Sequence, residues 1–174
     1  MIPEKVTKYY ELLSKWLAYY GFSPVTVHAE AGIDLVFKRS RFEASKFGNV
    51  DAYCCVKYFE KPDTDSFKSF SSRMFEMASK HRKGAPVGFG AMLVVYPLIA
   101  TENISDELYK ETKLYCPKHF AANEFPSVID LTTGFLYYYE QTPVWGSAYY
   151  SNFRREVYKF FSPKAWEADV KATS

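Results

Sequence analysis

The run AMLVVYPLIA, residues 91–100, constrains this chain more than any other segment. It carries no charge and is apolar at odd and even positions alike, the pattern of a strand covered on both faces. With the preceding GFG it reaches thirteen residues, 88–100, too few to cross a bilayer, and it contains Pro97. A strand buried on both faces requires a packed layer on each side of its sheet.

The flanking patterns supply those layers. Residues 3–20 keep helical spacing, with Val6, Tyr9, Tyr10, Leu13, Trp16, Leu17 and Tyr20 on one side and Glu4, Lys8, Glu11 and Lys15 opposite. PVTVHAE and IDLVFK read as strands around the turn signal AG at 31–32, and the polar RSRFEASKFGN reads as a loop. DAYCCVKYFEK, 51–61, alternates as a strand: Asp51, Tyr53, Cys55, Lys57 and Phe59 face one way, Ala52, Cys54, Val56 and Tyr58 the other. A second helix starts at PDTDSF, capped by Asp63, Thr64 or Asp65, and ends at KHRKG. After the apolar strand come a short helix capped by Asn103 or Ser105, a hairpin over 126–141 turning at Thr132–Gly134, and a helix over 145–161 stopped by Pro163.

The order is αβββαβαββα, an α/β chain with a single mixed sheet flanked by helices. At 174 residues it is expected to form one domain, with a core over 3–100, an extension over 101–162 and a mobile tail over 163–174. Fifteen Tyr and fifteen Phe exclude a disordered chain. A net charge of +2 permits a nucleic-acid partner without requiring one. Three cysteines, two of them adjacent, are no disulfide framework. With no apolar signal segment at the start, the expectation is a cytoplasmic protein with no membrane partner.

AGIDLVF places Asp34 at the head of a strand shortly after Gly32, and CCVKYF places Lys57 two residues beyond Cys55. With the element order, these residues resemble the core of the PD-(D/E)xK restriction-endonuclease-like superfamily over about residues 3–100. The resemblance implies a restriction-endonuclease-like core, nucleic acid as the substrate, Mg2+ as the cofactor, and Asp34 and Lys57 as catalytic residues with Asp34 a metal ligand. It also implies a carboxylate where Cys55 stands. Magnesium takes hard oxygen ligands, whereas a thiolate suits softer metals, so Cys55 is a degenerate ligand position. Glu30, Glu43 and Glu76 are the candidate substitutes, and Glu11 a further one. Asp51 shares the Lys57 face but lies six residues away, roughly 20 Å along a strand.

Each of these residues also fits a plainer role. Asp34 suits a turn aspartate capping backbone N–H groups, and Lys57 a marginal strand lysine with its stem on an aromatic neighbour. Lys80, Arg82 and Lys83 are candidate phosphate contacts, or cations complementing a helix end. Cys116 and His119 have Cys-x2-His spacing, with only Cys54, Cys55, His28 and His81 left to complete a zinc site. The aromatic FLYYYEQTPVWGSAYY segment predicts a homodimer interface, because both faces of its strand are apolar. Two functions follow: a nuclease-like scaffold with a degenerate metal site acting on nucleic acid, or a non-catalytic interaction or structural module that dimerises through this aromatic region. A third is a reactive-cysteine site.

Overall fold

The structure, a computed structural model, describes residues 2–26, 32–46, 48–144 and 146–174. Its helices are α1 (Glu4–Tyr19), α2 (Thr64–His81), α3 (Asp106–Leu114), α4 (Ser147–Phe161) and α5 (Pro163–Ala172). Its strands are β1 (Ser23–Pro24), β2 (Leu35–Glu43), β3 (Gly48–Tyr58), β4 (Ala91–Thr101), β5 (Lys118–His119), β6 (Ala122–Glu124), β7 (Ser127–Asp130) and β8 (Phe135–Tyr138). Among the described residues these strands form one mixed sheet. β1, β2 and β3 are antiparallel, and β3 and β4 are parallel through the α2 crossover.

The alternation of β3 sorts its side chains into two layers. Ala52, Cys54 and Val56 join Leu13, Leu17, Phe153, Val157, Phe160 and Trp166 of α1, α4 and α5. Tyr53 and Cys55 join Phe67, Phe70 and Met74 of α2 and Leu108 of α3. β4 is buried on both faces over its apolar run, as that run requires. Asp63 is the cap of α2: its carboxylate accepts from Ser66 N at 2.7 Å while Ser66 Oγ accepts from Asp63 N at 2.9 Å. Ser105 caps α3 by accepting from Leu108 N at 3.1 Å.

β6 and β7 share one edge of β4, and their registers agree: Val95 faces Glu124 and Leu98 faces Ser127. The same spacing sets Pro97 opposite Pro126. Neither imide has an N–H to give, so the ladder lapses there without orphaning a donor. One strand is thus divided in two by a pair of prolines.

The structure corrects three expectations. The segment 39–49 is not a loop: β2 runs on to Glu43, a 3-10 turn occupies Ala44–Lys46, and β3 begins at Gly48. Arg39, Glu43 and Lys46 are paired in the interior instead of solvated, while Ser40, Arg41 and Asn49 are exposed. The β5–β6 hairpin was not expected, its strands being too short for alternation to show. The expected mobile tail over 163–174 is largely α5, which buries Ala165 and Trp166. The second half of the first expected strand, with His28 and Glu30, and Trp145 at the head of the expected last helix lie outside the described residues.

Gly48 fixes how closely β3 meets the segment before β4. A Cβ there would stand 2.6 Å from the Gly90 carbonyl oxygen. That oxygen is held by Asn49 N at 3.0 Å. Gly48→Ala is therefore expected to destabilise the fold by about 1–3 kcal/mol, read as a lower urea midpoint at unchanged slope. An unchanged midpoint would show that the two backbones separate freely.

Candidate functional site

Asp34 stands just ahead of β2, and its N–H donates to Val56 O at 3.0 Å. Leu35, the next residue, pairs with Val56 at the head of the β2–β3 ladder, and Lys57 follows Val56. Lys57 Nζ lies 3.9 Å from Asp34 Oδ1, and both side chains are about three-quarters buried. The structure therefore brings together the two residues that the sequence singles out.

Protein donors already occupy this carboxylate. Asp34 Oδ2 accepts from Tyr10 OH at 2.7 Å and from Tyr58 N at 2.8 Å. Burial, and then the Asp34 hydrogen bond, hold the Tyr10 phenol far above its ordinary range, so it stays a donor. Tyr10 ties α1 to the end of β3. The helical stripe of the sequence includes Tyr10 but cannot show where its hydroxyl goes. Lys57 Nζ also lies 5.6 Å from the centre of the Phe59 ring.

Among the described residues, the rest of the expected metal site is not assembled around this pair. Cys55 is fully buried in the α2 layer, and burial pushes its thiol well above the ordinary range. Glu43 is buried in an ion cluster on the opposite layer, with Arg39 Nη2 at 3.2 Å, Arg41 Nε at 3.1 Å and Lys46 Nζ at 2.5 Å. Glu76 is exposed on α2. Asp51 is held by Arg82 Nε at 3.0 Å, by Lys38 Nζ at 3.8 Å and by the Ser40 hydroxyl. Arg82 is thereby committed to the protein's own carboxylate, and of the three phosphate candidates Lys80 and Lys83 are the exposed ones. Among the described residues, no group of three or more His, Cys, Asp or Glu side chains could hold a metal ion. A buried thiol and a carboxylate engaged by a phenol, an amide and an ammonium do not fit Mg2+.

A second cluster has no counterpart in the sequence reading beyond the Cys116 and His119 spacing. Glu124, 2% exposed, accepts from Ser71 Oγ at 2.5 Å and meets His119 Nε2 at 2.7 Å. Cys116 Sγ donates to Glu124 O at 3.4 Å. Burial, and then the Glu124 charge, push the Cys116 thiol up to about 12, which keeps it protonated and poorly nucleophilic near neutrality.

The aromatic hairpin is partly covered from within the chain. Tyr137 meets Tyr109 of α3 edge-on at 5.1 Å, Tyr138 packs on Phe125 at 6.4 Å, and Tyr139 is buried. Phe135, on the same strand, remains 51% exposed. Among the described residues, no helix is long and apolar enough to cross a membrane. Comparison of the chain with family models, with curated proteins and with solved structures finds no match.

Proposed function

We propose that the chain is a non-cutting scaffold of the PD-(D/E)xK type, in which the Asp34–Lys57 pair has become a structural clasp and the protein works by binding. The observation that carries this reading is the occupancy of Asp34 by Tyr10, Tyr58 N–H and Lys57. Support for the ancestry comes from the cross-strand placement of Asp34 and Lys57, next to three antiparallel strands and a helical crossover to a parallel fourth. The Cys55 position, turned into the apolar layer under α2, supplies nothing to a hard cation.

The test is incubation with supercoiled plasmid and with single-stranded DNA in magnesium or manganese. The expected result is no cleavage and no metal-induced rise in melting temperature. Asp34→Ala is expected to lower stability by about 1–3 kcal/mol, because it orphans the Tyr10 hydroxyl and the Tyr58 N–H. Metal-dependent cleavage that disappears in Asp34→Ala and Lys57→Ala would overturn the reading.

A further inference from the structure

A cleft of about 690 Å3 lies between the last turn of α1, strand β2 and helix α4. Arg39, Arg41, Arg155 and Lys159 line it, with Glu156 as the one lining carboxylate. The lining therefore carries an excess of positive charge in a chain whose net charge is +2. Arg39 lies five residues from Asp34, roughly 17 Å along β2, so the cleft is separate from the Asp34–Lys57 pair.

The carboxylates at the back of the cleft are already neutralised. Glu156 accepts from Lys46 Nζ at 2.8 Å and from the Tyr96 hydroxyl. Glu43 is held by Arg39, Arg41 and Lys46. Among the described residues, neither Arg155 nor Lys159 has a carboxylate within ion-pair distance. The two are exposed and stand four residues apart on α4, a spacing at which like charges destabilise a helix. An anion lying across them would reverse that penalty.

Arg39 makes the wall rigid. Its guanidinium lies 4.5 Å from the Phe22 ring centre and 5.2 Å from that of Phe160, and Nη1 donates to Tyr20 O at 2.9 Å. The residue is 7% exposed, and its Nε is buried without a hydrogen-bond partner among the described residues. Tyr19 lines the same cleft and is 71% exposed. Trp16 and Tyr20 hold its ring edge-on at 5.6 and 5.3 Å, which orients the ring without covering it.

Cations beside an open aromatic ring are the two elements of single-stranded nucleic-acid recognition: charge for the backbone and a platform for a base. We infer that this cleft binds single-stranded nucleic acid, with Arg155 and Lys159 on the phosphates and Tyr19 stacked on a base. The inference stands apart from the nuclease-like ancestry, since it uses none of the Asp34–Lys57 residues. A cleavage assay and a binding assay therefore fail separately.

The test is fluorescence anisotropy of a labelled oligothymidine titrated with the full chain at several salt concentrations. The Arg155→Ala/Lys159→Ala variant is expected to bind at least about tenfold more weakly, and to reduce the slope of log affinity against log salt by about 1.4. Tyr19→Ala is expected to bind roughly tenfold more weakly at an unchanged salt slope. A Lys61→Ala/Lys110→Ala variant, which removes equal charge from exposed positions elsewhere, is expected to bind as the parent does. Melting temperatures close to the parent's would show that these surface variants fold. The inference is overturned by absence of saturable binding, by equal weakening in the Lys61/Lys110 variant, or by thymidine monophosphate binding as tightly as the oligomer.

Discussion

Lys46→Met is expected to lower the free energy of unfolding by about 3–5 kcal/mol at neutral pH, the cost of leaving buried charge unpaired. The Lys46 side chain is 1% exposed and bridges Glu43 at 2.5 Å and Glu156 at 2.8 Å. Methionine fills a similar volume and removes the ammonium, leaving two largely buried carboxylates beside each other. For a chain of this size the loss corresponds to roughly 10 °C in melting temperature.

The pH dependence identifies the cause. Burial pushes the Glu43 carboxyl up, but hydrogen bonds and charge from Lys46 and Arg41 outweigh it and hold the group below its ordinary value of 4.5. A carboxyl held down in the fold contributes its stability in full above 4.5, and loses it as the pH falls through the lower folded value. The variant lacks the Lys46 part of that depression. The gap between parent and variant should therefore be widest at neutral pH and close below 4.5. Thermal melts at both pH values measure it, and a small, pH-independent loss would mean that water already solvates the cluster.

Trp166→Ala is the second large effect expected, again about 3–5 kcal/mol. Trp166 is 3% exposed and stacks on Tyr9 at 5.8 Å and on Trp16 at 6.0 Å, while its Nε1–H donates to Lys159 O at 3.0 Å. α5 has one further anchor to the first helix region, where Tyr20 OH donates to Asp169 Oδ2 at 2.8 Å. Truncating the indole should both lower the melting temperature and open Lys164 and Lys171 to trypsin. A variant that melts with the parent and resists trypsin would mean that α5 docks without it.

Why α5 escaped the sequence reading is physical. PKAWEADVKA buries only Ala165 and Trp166, so no stripe of apolar residues recurs along it. The informative signal is Pro163, which as a helix breaker reads as a stop to the preceding helix. Proline also suits the first turn of a helix, where no N–H is needed, and here it opens one. The same limit hid the end of β2. Arg39, Glu43 and Lys46 look like solvent-facing loop residues, and Glu156, which pairs with Lys46, stands 110 positions from it. No local pattern encodes such a pairing. The Asp34–Lys57 contact was legible because both residues stand at adjoining ends of neighbouring strands, whereas Tyr10, which takes up the carboxylate, comes from a separate helix. Apolar periodicity served best where it was strongest, in β3, β4 and α2.

The adjacent cysteines of β3 carry a consequence of their own. Cys54 and Cys55 are both fully buried, but one belongs to the layer under α1 and α4 and the other to the layer under α2. Neither thiol can meet a solvent reagent until its own layer lifts. Alkylation at the two sulfurs, resolved by mass, therefore clocks the opening of each side of the sheet separately, from natural probes one residue apart.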